Sequence, residues 1–184
     1  MRTVSPRVAL LIALAGSACT PDESTRVDPS GAHHPHFSQA SPEINQRLDS
    51  LRMLVAPFHN FDKAVAAGYS VGVGCVSDPV LGGMGYHYTR ADKDLINDGV
   101  VNLLEPEFLV YAPRKGGPPK FSALDYFVPY NTWTSPEPPT LLGVPFMRED
   151  RFQAWVIHVW LYWNNPDGIF SNYNRDVPQC PSAQ

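Results

Sequence analysis

The sequence predicts an α+β fold, in which N-terminal helices pack on a small, mostly antiparallel sheet with long Gly/Pro-rich loops. Three observations predict it: a helical stripe of apolar residues after Ser41, a strand pair joined by a turn-rich linker, and a total of 13 glycines and 19 prolines. The hydrophobic share of 43% is large enough for one buried core. We therefore expect a single globular domain over residues 41–184.

Two short helices open this domain. The Ser41 hydroxyl can cap the first helix, and Pro42 fits its first position because the ring already has a helical φ. Apolar residues then recur with the period of one helical face: Ile44, Leu48, Leu51 and Val55. Asn60 can cap a second helix through Ala67, and a third short helix is expected over Arg90–Asn97.

Three segments are predicted to be strands. Glu107–Ala112 and Phe121–Val128 flank a linker rich in Gly and Pro, which indicates an antiparallel hairpin. Phe152–Trp163 is dense in aromatic and β-branched residues and apolar on both alternating faces, which favours a central strand; a buried helix is the alternative.

The five glycines of Ser70–Tyr88 instead indicate turns and close backbone approaches. That stretch lacks the spacing of a nucleotide-binding loop.

The N-terminal residues have the pattern of an export signal. Residues 1–18 combine two arginines with a short apolar run and small residues, which predicts a signal peptide. Cys19 follows at the position of a bacterial lipoprotein cysteine and is our candidate for lipidation; simple cleavage after Ala18 is the alternative. We expect a cell-envelope protein, in the periplasm or at the cell surface, anchored to the membrane through this N-terminal lipid.

Residues 19–40 are polar and predict a flexible tether. The tether contains His33, His34 and His36, which could capture a soft divalent metal or simply belong to a polar linker. If Cys19 carries lipid, the other two cysteines remain as a pair in an oxidising compartment. We therefore predict a Cys75–Cys180 disulfide, with two free cysteines as the alternative.

Chemistry-bearing residues are few. The chain has no H-E-x-x-H and no C-x-x-C motif, so whether it is an enzyme stays open. His158 lies within an apolar strand, where an unpaired imidazole is costly, so it requires a partner. His87 follows a glycine-rich approach, and Glu107 begins a predicted strand. Two histidines and a carboxylate suffice to bind Zn, Cu or Fe, so His87, His158 and Glu107 are our candidate metal ligands.

Two other interpretations of these residues remain. His158 could hydrogen-bond to Asp125 or to a backbone carbonyl and simply complete the core. Alternatively, the domain could be a non-catalytic binding module, with an aromatic groove that holds a small ligand or a protein partner. The aromatic residues available for such a groove are Trp155, Trp160, Trp163, Tyr88 and Tyr126. Nucleic acid is not an expected partner, since the formal net charge is −4.

Four motifs carry a resemblance to a known group of proteins. They are G-G-M-G-Y-H-Y (82–88), E-P-E-F-L-V-Y (105–111), L-D-Y-F-V-P (124–129) and I-H-V-W-L-Y-W-N-N-P-D-G-I-F (157–170), with a closing cysteine. The chain resembles an uncharacterised family of exported bacterial (lipo)proteins that shares G-M-G-x-H-Y and H-V-W-L-x-x-x-N-P-x-G-x-F patterns. The resemblance implies export and a single domain, and it assigns no activity and no site residue.

Overall fold

The computed structural model describes residues 41–181, and within this range the fold is mostly sheet. The elements are α1 (Pro42–Val55), a 3₁₀ turn (Ala56–His59), α2 (Phe61–Ala66), β1 (Tyr69–Asp78), β2 (Gly82–Arg90), β3 (Phe108–Ala112), β4 (Lys120–Pro129), β5 (Thr140–Leu141), β6 (Val144–Pro145), β7 (Met147–Glu149) and β8 (Ala154–Val159). Six strands form one antiparallel sheet in the order β1-β2-β3-β4-β8-β7, and β5 pairs with β6 separately.

The predicted α+β class, with helices packed on a small sheet, is therefore wrong. One helix of 14 residues and one of six accompany a six-stranded sheet. The main reason is the glycine-rich stretch before His87, which forms the paired strands β1 and β2 instead of turns. The expected helix over Arg90–Asn97 is also absent, since β2 ends at Arg90 and turns follow.

Local signals in the sequence located the two N-terminal helices correctly. The Ser41 hydroxyl accepts the Ile44 N–H at 3.3 Å, and the Asn60 side chain accepts the Lys63 N–H at 3.3 Å. Such caps satisfy backbone donors that have no partner inside the helix. Leu48, Leu51 and the last residue of α1 are buried against the sheet, so this helix covers one of its faces.

The two faces of the sheet carry separate clusters of core residues. The face under α1 includes Leu124, Tyr126 and Ile157, which pack with the helix. Alternation along a strand directs neighbouring residues to the opposite face. That opposite face bears a smaller cluster of Val110, Ala112, Ala123, Trp160 and Val177. The strand predicted over Phe152–Trp163 is confirmed only for Ala154–Val159, which form β8. This strand is paired on both sides and buried on both faces.

The segment after β8, residues 160–181, is the C-terminal coil, and it packs against the face opposite α1. A disulfide joins Cys75 to Cys180 with a Cα–Cα distance of 5.6 Å, as predicted. Gly83 exchanges two backbone hydrogen bonds of 3.0 Å with Asn174. A Cβ at Gly83 would lie 2.6 Å from a methyl carbon of Val177, so only glycine allows the coil this close. The disulfide and the glycine together hold the coil against β2.

The described part of the chain contains no helix that is both long and apolar enough to cross a bilayer. The predicted signal peptide (1–18), the tether (19–40) and Cys19 lie outside the described residues, as do His33, His34 and His36.

Candidate metal centre

Three strands bring two histidines and a carboxylate together on the face opposite α1. His87 lies on β2, Asp125 on β4 and His158 on β8, and all three side chains are buried, with exposures of 3%, 3% and 1%. Asp125 and His158 are directly paired across β4 and β8. One ligand atom from each residue lies within 4.8 Å of the others, so this group could hold a metal ion.

The distances within the group fit a shared ion. The Nε2 atoms of His87 and His158 are 3.2 Å apart, and His87 Nε2 lies 3.6 Å from Asp125 Oδ2. Two nitrogens bound to one zinc-sized ion at ~2.0–2.1 Å are separated by about 3.3 Å when the geometry is tetrahedral. In the metal-free protein the same 3.2 Å spacing allows an N–H···N hydrogen bond between the rings.

Several polar atoms of the group have no partner in hydrogen-bond geometry among the described residues. They are His87 Nδ1, Asp125 Oδ1 and His158 Nδ1. Buried polar atoms are rarely left unpaired, because each one costs desolvation free energy that nothing offsets. Two of these atoms, His158 Nδ1 and Asp125 Oδ1, face each other at 3.7 Å, whereas the two histidines approach each other through their Nε2 atoms.

Burial also sets the protonation of these side chains. It lowers the pKa of His87 to about 4 and that of His158 well below its usual value. Both imidazoles are therefore neutral at pH 7, which is the form that binds metals. Burial raises the pKa of Asp125 well above its usual value, and the nearby carboxyls of Glu107 and Glu149 add to this. A bound cation would reverse this effect by favouring the carboxylate.

A small cavity adjoins the three side chains. Its volume of about 20 Å³ admits an ion or a water molecule and little more. Apart from His87, Asp125, His158, Met84 and Glu149, its walls are hydrocarbon: Val73, Val76, Phe108, Phe127, Phe152 and Val156. The His158 ring also stacks against Trp160, with 5.9 Å between the ring centroids. Trp160 Nε1 in turn donates a hydrogen bond to the Ser171 carbonyl at 2.6 Å.

Of the three predicted ligands, His87 and His158 belong to this group and Glu107 does not. Glu107 is buried immediately before β3, where its Oε2 accepts the Phe127 N–H at 3.0 Å. Desolvation raises the pKa of Glu107 to about 8. The carboxylate of the group is instead that of Asp125, which the sequence indicated only as a hydrogen-bond partner for His158. The available signal was an acidic residue inside an apolar strand, the same signal that identified His158.

The five aromatic residues of the alternative groove do not share one surface. Tyr88, Tyr126 and Trp155 pack with the cluster under α1, whereas Trp160 and Trp163 pack with the cluster on the opposite face. None of the five lines the cavity beside the histidines. The structure therefore offers no support for a single aromatic groove.

Comparisons with known proteins do not assign the site. No protein-family model, no curated protein and no solved structure matches the chain. The chemistry of the site is therefore inferred from its geometry.

Proposed function

We propose that this chain is an exported protein that binds one transition-metal ion through His87, Asp125 and His158. The observation that supports the proposal is the convergence of these three buried side chains at one small cavity, with the Nε2 atoms of the two histidines 3.2 Å apart. Two imidazoles and a carboxylate are ligands suited to Zn, Cu or Fe. The cavity has room for the ion and at most a water-sized ligand, which favours metal binding over the conversion of a larger substrate.

The proposed location rests on separate features. The pattern of residues 1–18 and the position of Cys19 support export and a lipid anchor. The Cys75–Cys180 disulfide fits an oxidising compartment such as the bacterial periplasm. We therefore propose a role in the cell envelope, with the tether connecting the metal-binding domain to the membrane.

Metal binding can be tested on the purified chain after treatment with a chelator. One equivalent of Zn(II), Cu(II) or Fe(II) is added, and the bound metal and the melting temperature are measured after desalting. All measurements use a chain in which His33, His34 and His36 are replaced by Gln, because that segment could bind metal independently. We expect one equivalent of at least one metal and a rise in melting temperature.

The variants His87→Gln and His158→Gln identify the ligands. Each should lose the stoichiometric metal and the rise in melting temperature, because each removes one of the two nitrogen ligands. His59→Gln is the matched control, since His59 is exposed and lies outside the group. Circular dichroism without metal verifies that the variants are folded. The proposal fails if none of the three metals binds, or if the His59 and His158 variants bind metal equally well.

A further inference from the structure

We infer that the metal held by this site is copper, with the Met84 sulfur as an additional, soft ligand. This inference rests on the proposed function and specifies the metal. Met84 is 2% exposed and lines the same cavity as His87, Asp125 and His158. The sequence pattern does not mark it as a ligand, because the thioether is neutral and methionine ordinarily serves as a core residue.

An irregularity in β2 directs Met84 toward the site. Met84 and His87 are three residues apart, so regular alternation would place them on opposite faces of the sheet. The pairing with β1 shifts at this point: Val76 is opposite Gly85, whereas Ser77 is opposite Gly83, and Met84 is the extra residue. A bulge of this kind redirects a side chain, and bulges are over-represented beside functional sites.

The backbone at Gly85 makes this bulge dependent on glycine. Its φ is +118°, and a Cβ there would lie 2.5 Å from the Tyr111 carbonyl oxygen. Only glycine adopts that conformation at this distance from β3 without strain. The sequence G-M-G-Y-H (83–87) therefore contains Gly85, which allows the bulge, and also Met84 and His87, which the bulge brings to one cavity.

The chemistry of the donors distinguishes copper from its competitors. Thioether and imidazole ligands suit Cu(I), whereas zinc sites use thiolate, imidazole and carboxylate donors. The cavity walls are mostly hydrocarbon, and moving an ion out of water costs more for a doubly charged than for a singly charged ion. Cu(I) held by His87, His158 and Met84 requires no anionic ligand. Asp125 provides the harder oxygen donor that Cu(II) accepts.

Glu149 is the competing ligand at this cavity. It is half-buried and lines the wall, so its carboxylate could favour a harder ion such as Fe(II) or Zn(II). The two possibilities predict opposite results. A copper site depends on the Met84 sulfur, whereas a hard-metal site depends on the Glu149 carboxylate and not on the sulfur.

The test compares Met84→Leu with Glu149→Gln in a full-length chain in which His33, His34 and His36 are replaced by Gln and Cys19 by Ser, so that neither the tether imidazoles nor the Cys19 sulfur competes for copper. Leucine nearly conserves the volume of methionine, so the core should stay packed. Met147→Leu is the control, because Met147 is half-buried on β7 of the same sheet and does not line the cavity. Cu(I) affinity is measured anaerobically by competition with bicinchoninate, with a non-thiol reductant that leaves the disulfide intact. Zn(II) affinity and the copper K-edge spectrum are measured in parallel.

We expect Met84→Leu to weaken Cu(I) binding by about tenfold or more and to change Zn(II) binding by less than about twofold. The copper spectrum of the chain that retains Met84 should contain a sulfur scatterer that the Met84→Leu chain lacks. The copper assignment is overturned if Met84→Leu leaves Cu(I) binding unchanged, or if Glu149→Gln is the variant that lowers metal affinity. Either result leaves the proposed function standing, because that proposal fails only if metal does not bind through His87 and His158.

Discussion

The Nε2 atoms of His87 and His158 lie 3.2 Å apart, although β3 and β4 separate their strands in the sheet. Neighbouring strands are spaced by about 4.8 Å, so β2 and β8 would be about 14 Å apart in a flat sheet. The two side chains must therefore lean toward each other across a curved sheet. The candidate site depends on this curvature as much as on the identity of its residues.

The first prediction concerns Asp125→Asn, which should have opposite effects on the protein with and without metal. The buried Asp125 carboxyl has an unpaired Oδ1 and a raised pKa, so its ionised form is unfavourable without a cation. The raised pKa means that stability falls as pH rises above about 3.9, the value in the unfolded chain, toward the folded value. Asparagine, which cannot ionise, removes this loss.

Without metal, we therefore expect the Asp125→Asn variant to gain stability relative to wild type as pH increases from 5 to 7. With metal, wild type should be the more stable protein, because the anionic ligand is lost in the variant. Chemical denaturation with and without metal measures both effects. Asp176→Asn, at an exposed position on the C-terminal coil, is the control and should change neither. Equal metal-dependent stabilisation of wild type and Asp125→Asn would contradict the role of Asp125.

The second prediction concerns the pH dependence that Glu107 contributes. Desolvation raises its pKa to about 8, while the Phe127 N–H acts in the opposite direction. The folded protein therefore retains a proton that the unfolded chain has lost above about pH 4.5, and stability falls as pH rises through this window. Between pH 6.5 and 8 the loss should be about 2 kcal/mol, at about 1.4 kcal/mol per pH unit.

Glu107→Gln should remove this contribution, because the amide can accept the same N–H and does not titrate. Denaturant melts of metal-free protein at pH 6.5 and 8 give the comparison. The Gln variant should lose about 2 kcal/mol less than wild type over this interval. Identical losses in the two proteins would show that Glu107 does not titrate in this range.

The third prediction tests the bulge in β2. Gly85→Ala places a Cβ at a φ of +118°, 2.5 Å from the Tyr111 carbonyl oxygen. We expect a loss of about 2–4 kcal/mol in the free energy of unfolding, measured in urea. Gly74→Ala on β1 is the control, since its Cβ would meet nothing within 4 Å. That variant should stay within about 0.5 kcal/mol of wild type. If both variants are equally stable, the bulge is not constrained as described.

The fourth prediction concerns the disulfide between Cys75 and Cys180, which are 105 residues apart in the sequence. A cross-link of this span restricts the unfolded chain, so its removal should cost about 2–5 kcal/mol. Replacing both cysteines by alanine should lower the urea midpoint accordingly. The Cys19→Ser change provides the control, because it leaves the bridge intact and should not alter unfolding. If a thiol reductant lowers the midpoint of the alanine variant as much as that of wild type, the stabilisation has another source.

Local signals predicted the elements that depend on local chemistry. The Ser41 and Asn60 caps predicted both helices, because a cap needs only residues within one turn. The β-branched and aromatic residues of β8 predicted a central strand. The number of cysteines led to the Cys75–Cys180 bridge once Cys19 was assigned to the lipid anchor.

The errors lie where tertiary packing decides. Glycine is depleted in strands, so the segment before His87 did not predict β1 and β2. Two of its glycines are required by close contacts: Gly83 with Val177, and Gly85 with the Tyr111 backbone. The choice of Glu107 over Asp125 as a ligand has a similar origin. Only the pairing of β4 with β8, which places Asp125 opposite His158, determines which carboxyl reaches the histidines.

The pairing of β4 with β8 has a consequence for the accuracy of folding. A slip of one residue between these strands would place Ile157 or Val159 opposite Asp125 and turn His158 toward the helix-covered face. A chain misaligned in this way would lack one nitrogen ligand. Since the three proposed ligands come from three strands, a bound ion would select the single alignment in which all three are present. Metal binding would then stabilise only those chains in which β8 is paired with β4 in the correct register.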